Sequence, residues 1–251
     1  MVETYNIIHD EAEIRRTATR LFPVLTEDEA IFISLSARNK YLNEEERKHY
    51  QLGRSEMFQK TIVRDRKFLL REVKKMSVYP LLSSKGVIFP IEPNIMTVYL
   101  NVNPVSISIA FHKTSTAFYD GILTGSKINP YSQLKKEMAR SRSRKNFIDL
   151  DLDLPPMEWE EKKIILDKIY YDLSQYVGSV DIIDTKSGAH FLLSNIRGNY
   201  TETIDKINTY RYYHKELSVY NEFEFKRNDN ESVPLPGTYQ SDYKVRFYDP
   251  E

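Results

Sequence analysis

Asp149, Asp151 and Asp153 stand at alternate positions in Asn146-Phe147-Ile148-Asp149-Leu150-Asp151-Leu152-Asp153, with apolar residues between them. In an extended chain alternate side chains share a face. Three carboxylates on one face repel one another and lose solvation, so the pattern points to a divalent cation that neutralises them. The same period-two alternation describes any half-exposed strand, and the surroundings decide between the two. Between Lys127 and Lys145 the chain carries Lys135, Lys136, Arg140, Arg142 and Arg144 against a single acid, Glu137. A basic segment that runs directly into an acidic strand is the charge layout of a phosphate-handling site.

The elements that would position these groups follow from hydrophobic spacing. Residues Glu158 to Tyr176 carry Trp159, Lys163, Ile164, Leu166, Ile169, Tyr170 and Leu173 at helical spacing, with Pro155-Pro156 ahead as a helix start. Val180-Asp181-Ile182-Ile183-Asp184 and Ala189 to Leu193 read as the arms of a hairpin around Thr185-Lys186-Ser187-Gly188. The predicted order is strand, helix, strand, turn, strand, and the hairpin returns His190 to the sheet that holds the aspartates.

The N-terminal half supplies further elements but no motif. Helices are predicted over Asp10 to Leu21, Asn43 to Tyr50 and Arg66 to Met76, the last with Phe68, Leu69, Leu70 and Val73 as its apolar face. Strands are predicted over Ala30 to Leu35 and from Thr97 to a stop at Pro104, with a helix following through Ile109, Phe111, Thr114 and Phe118.

With these motifs in this order the chain resembles the archaeo-eukaryotic primase superfamily, in particular the primase-polymerases of phages, plasmids and prokaryotic immune loci. An apolar run leading into Asp-x-Asp is matched by Phe147-Ile148-Asp149-Leu150-Asp151. A small residue, any residue and then histidine is matched by Gly188-Ala189-His190, and an acid after an apolar residue on a later strand by Phe223-Glu224-Phe225, with Asn228 following. Pro234-Leu235-Pro236-Gly237-Thr238 looks like the Pro-Gly-Thr turn that closes the catalytic sheet in many members. The third acid is Glu where Asp is usual, and serine lies at 187, one place before Gly188. Asp229, Glu222 and Glu216 are rivals to Glu224, and Asp153 replaces Asp149 if the strand register shifts by two. The resemblance covers residues from about 140 to 245.

The resemblance implies an α/β (α+β) fold of two lobes, with an RRM-like catalytic sheet flanked by helices. Residues 1–251 would form one catalytic domain, an N-terminal α/β lobe over 1–125 and a lobe with the motifs over 126–251. It implies a DNA primase or polymerase that adds nucleotides on a single-stranded DNA template or primer. Asp149, Asp151 and Glu224 would hold two Mg²⁺ or Mn²⁺ ions roughly 3.5–4 Å apart. Ser187, Gly188 and His190 would bind the incoming nucleoside triphosphate, with Lys186, Arg142 and Arg144 as further phosphate or template contacts.

Composition bounds these expectations. No apolar run approaches the length of a membrane span, and the residues around Glu3, His9 and Asp10 lack the basic start and apolar core of a signal peptide, so a soluble cytoplasmic protein is expected. The absence of cysteine excludes thiolate zinc sites and disulfides. Lys and Arg number 36, as do Asp and Glu, and a net charge of zero argues against strong non-specific grip on nucleic acid. Without a Walker A loop, any unwinding would fall to a separate helicase. Tyr200, Tyr210, Tyr212, Tyr213 and Tyr220 cluster among cations; such rings can stack on bases, though packing a helix onto the sheet is the more common use. His9, His49 and His112 receive no role. Two other classes share the Asp-x-Asp signal: a metal-dependent glycosyltransferase, and a non-catalytic relative that binds nucleic acid through the basic segment.

Overall fold

The computed structural model describes residues 6–50, 55–78, 96–197, 199, 201–206, 224–227 and 232–250. Helix α1 (Glu11–Arg20) begins where Asp10 accepts the free amides of Ala12 and Glu13 at 2.8 and 3.1 Å, an N-cap that the sequence shows in its Asp-Glu-Ala-Glu start. Then come β1 (Glu29–Arg38), a 3₁₀ turn at Asn39–Tyr41, α2 (Glu44–Tyr50), β2 (Ser55–Val63), α3 (Leu69–Met76), β3 (Met96–Asn101) and β4 (Val105–Ser106). Helix α4 (Ile107–Thr124) is capped by the Ser106 hydroxyl and stopped by Gly125 at φ +70°. Helix α5 (Pro130–Arg140) leads to β5 (Ile148–Asp153), α6 (Trp159–Ser174), β6 (Val177–Thr185) and β7 (Gly188–Ile196). Residues 201–206 are helical. Strands β8 (Glu224–Arg227), β9 (Ser232–Pro234), β10 (Tyr239–Gln240), β11 (Tyr243–Lys244) and β12 (Arg246–Tyr248) follow.

The protein is a mixed α/β structure with two antiparallel sheets. The first has the order β11-β10-β3-β1-β2, with β4 on β1 and β9 on β3; the second has the order β12-β6-β7-β5-β8. Burial explains the layering. Strand β5 turns Ile148, Leu150 and Leu152 towards α6, where Leu166, Ile169 and Leu173 complete one core with Phe191 and Leu193 of β7. Its aspartates take the opposite face. Elsewhere on that face Ile183, Leu192 and Phe247 join a larger core with α1, α3 and the Ile31, Ile33 and Leu35 side of β1. A third, small core seats α4 and α5 against Ala30 and Phe32 on the far side of the first sheet.

One expectation changes here. The Pro234–Thr238 turn does not close the sheet that carries the aspartates: β9 pairs with β3, Leu235 donates to the Val98 carbonyl, and the Gly237 carbonyl accepts from His9 and Asp10. It closes the first sheet over the start of α1, and Gly237, at φ +90°, has its α-carbon so near Asp10 that a side chain would collide with the Asp10 carbonyl. The two sheets interleave along the chain. Helix α5 packs on α4 beside β4, and β9 to β11 return to the first sheet before β12 rejoins the second. Among the described residues no helix is long and apolar enough to cross a membrane.

Candidate functional site

The centre of the second sheet holds the site. Strand β5 lies between β7 and β8, with Asp149 opposite Leu192, Asp151 opposite His190 and Asp153 opposite Gly188. On its other edge Asp151 stands opposite Lys226 and Asp153 opposite Glu224. Directly opposed residues share a face of an antiparallel sheet, so this register brings the three aspartates and His190 together from strands forty residues apart in the chain.

Depth separates the carboxylates. Asp149 is only 1% exposed, and His190 Nδ1 lies 3.0 and 3.2 Å from its two oxygens. His190 Nε2 is 3.6 Å from Asp151 Oδ1, and the Asp151 side chain is 26% exposed. Burial pushes the His190 ring towards neutrality, but Asp149 first, then Asp151 and Asp153, outweigh it and hold the ring's pKa above its ordinary value. Asp153, also half-buried, accepts from the Ser187 hydroxyl at 3.3 Å.

The turn between β6 and β7 is shaped by one close approach. Gly188 sits at φ +150°, and a side chain there would fall 1.7 Å from the Leu152 carbonyl oxygen. Glycine is therefore needed to let β7 close on β5, a structural demand that the sequence reading had assigned to phosphate. The Lys186 amide donates to Gln240 Oε1, and its ammonium is 2.5 Å from Asp242 and 3.2 Å from the Ser241 hydroxyl. Across from this turn lies the end of β1: Lys40 Nζ is 3.4 Å from Ser187 Oγ, and Arg38 donates to the Tyr99 hydroxyl at 2.7 Å. No motif marked Arg38, Lys40 or Tyr41. The only signal available was a basic and aromatic run, Arg38-Asn39-Lys40-Tyr41, at the end of an apolar strand.

Arg142 and Arg144 are not gathered into this cluster. Arg144 pairs with Glu29 at 3.0 Å and with the Val24 carbonyl, while Arg142 forms a backbone bridge to Val105. Glu29 opens β1, the end away from Arg38, and as a buried acid it draws in the nearest arginine. The rival acids Glu216, Glu222 and Asp229, together with Asn228 and the tyrosines at 200, 210, 212, 213 and 220, lie outside the described residues.

The donor set fits a hard divalent cation in chemistry and charge. Its oxygens are carboxylates, and two of the three acids, buried Asp149 and part-exposed Asp151, share one imidazole. Among the described residues no three acids or histidines already converge on one point. Comparison with protein-family models, with curated proteins and with solved structures finds no match to the chain.

Proposed function

We propose that this chain is a template-dependent nucleotidyltransferase of the primase-polymerase type, building or extending a nucleic-acid strand from nucleoside triphosphates with divalent cations. One observation carries the reading: Asp151 is flanked in register by His190 on β7, while Asp153, two residues on, is flanked by Glu224 on β8. The supporting frame is the order strand, helix, strand, strand, strand with spatial order β6-β7-β5-β8, which is the split βαβ arrangement expected of an RRM-like sheet.

Asp151 belongs to the ion-holding set in either register. Asp149, expected as its neighbour, is closed in against His190, so Asp153, half-buried and level with Glu224, takes the second place. Bound by these carboxylates, Mg²⁺ or Mn²⁺ would supply an acidified attacking hydroxyl and charge to offset the leaving pyrophosphate. Asp149 orients the His190 ring and favours its protonated form, and the Nε2 side can face a phosphoryl oxygen. Ser187 and Lys186 stand beside it for the same polyanion; the Lys186–Asp242 pair is exposed and weakly held, and yields to a stronger anion.

Primer extension and de novo synthesis on a single-stranded DNA template, with Mg²⁺ or Mn²⁺, test the proposal. Metal-dependent product that disappears in Asp151→Ala is the expected result. A folded wild-type chain that yields no product with either metal would overturn it.

A further inference from the structure

Building on that reading, we infer that Arg38 and Tyr41, carried by the end of β1 on the other sheet, contact substrate by binding phosphoryl oxygens of the incoming nucleoside triphosphate. The two residues lie where such a group must come. The Lys186 and Lys40 ammoniums are 5.5 and 5.1 Å from the centre of the Tyr41 ring, and Lys40 reaches Ser187. The end of β1 thus faces the turn that precedes His190, with Asp151 close enough to act on both Arg38 and Tyr41, and Asp153 on Tyr41.

Two atoms point to a ligand. Among the described residues Arg38 Nε and Tyr41 Oη are buried without a hydrogen-bond partner. A buried donor left unmade is destabilising, and native structures keep few of them without a use. The Arg38 guanidinium is already held by Tyr99 at one nitrogen, which leaves its Nε edge pre-set for the paired oxygens of a phosphoryl group. Burial, and then Tyr99, push the Tyr41 phenol to a higher pKa, so it stays a protonated donor at neutral pH. Cations on one wall and carboxylates on the other match a triphosphate that arrives with its own divalent ion.

The test is binding of a nucleoside triphosphate with Ca²⁺, measured by calorimetry on the full chain, beside binding of a primer–template. Tyr41→Phe should weaken triphosphate affinity about fivefold to tenfold, and Arg38→Gln about tenfold to a hundredfold, from lost hydrogen bonds to a charged acceptor. Primer–template affinity should be unchanged, and Arg38→Lys should recover only part of the loss. Tyr41→Phe should also melt at the same temperature as wild type or higher, because it removes an unmade buried hydroxyl; a purely structural tyrosine would lower the melting temperature and leave affinity alone. Variants that fold and bind triphosphate as tightly as wild type would overturn the inference while leaving the polymerase reading in place. Loss confined to primer–template binding would overturn it too, in favour of a template phosphate. A wild type that binds no triphosphate would sink the proposed function along with it.

Discussion

Asp149 and Asp184 lie on opposite faces of the same sheet, 1% and 0% exposed, and are neutralised in different ways. Asp184 has the Lys162 ammonium at 2.6 Å, the Tyr243 hydroxyl at 2.6 Å and Arg246 Nε at 3.1 Å, donors from α6, β11 and β12. Lys162 in turn reaches the Thr185 carbonyl at 2.9 Å. That carboxylate joins a helix and two late strands to β6, and its cations are its own. Asp149 meets one imidazole, which it shares with Asp151 while Asp153 stands two residues further along. The contrast is between an acid held by fixed cations and one that shares a histidine with a second carboxylate on its own face.

Removing Asp184 should have the largest effect. Asp184→Ala leaves Lys162 buried without its counter-ion, and stripping one partner from such a pair costs about 3–5 kcal/mol. At about 2–4 °C per kcal/mol for a chain of this size, the melting temperature should fall by about 6–20 °C. Scanning calorimetry reads this directly, and a drop within about 2 °C would break the comparison, since Asp184 would then be no better matched than Asp149.

The aspartate face should respond less. Without divalent cations, Asp149→Ala combined with Asp151→Ala should destabilise by less than Asp184→Ala, because relief of like charges at close range offsets part of the lost Asp149–His190 contact, and a freed imidazole can turn neutral where the Lys162 ammonium stays charged. Adding Mn²⁺ should raise the melting temperature of wild type and leave the double variant unmoved, as mass action requires of an ion that binds only the folded state. A double variant that melts as low as Asp184→Ala would show that both acids are structural.

These contrasts also show what the sequence carried. The alternation of β5, the apolar face of α6 and the Thr185–Gly188 turn are local patterns, and local patterns survive in a single chain read by eye; they placed His190 beside the aspartates. The return of Pro234–Thr238 to the first sheet was not legible, because β9 is chosen by the open edge of β3, more than 130 residues earlier in the chain. The pairing of Arg144 was not legible for a related reason. Its charge suggested phosphate, but its partner, Glu29, is 115 residues away, and no spacing rule links them. Lys40 and Tyr41 escaped notice because their neighbours, Ser187 and Lys186, belong to a turn of the other sheet.

Glu29 extends the comparison to a third buried acid, and it gives the smallest effect. Burial pushes its pKa up, but the Ser143 hydroxyl at 2.6 Å, the Thr26 amide at 3.0 Å and Arg144 at 3.0 Å outweigh this and hold it below the ordinary glutamate value. A carboxylate whose folded pKa is depressed adds stability that is present above its unfolded pKa and is lost as pH falls through the folded value. Wild type should therefore exceed Glu29→Gln by about 1 kcal/mol near pH 7, a modest figure because Arg144 is largely open to solvent. The gap should begin to close below about pH 4.5 and vanish below the folded pKa. Urea titrations of both chains between neutral and acid pH would measure it. If the gap stayed constant with pH, the Glu29 carboxylate would be no better held in the folded state than in the unfolded one, and its match with Arg144 would add nothing to the contrast drawn from Asp184.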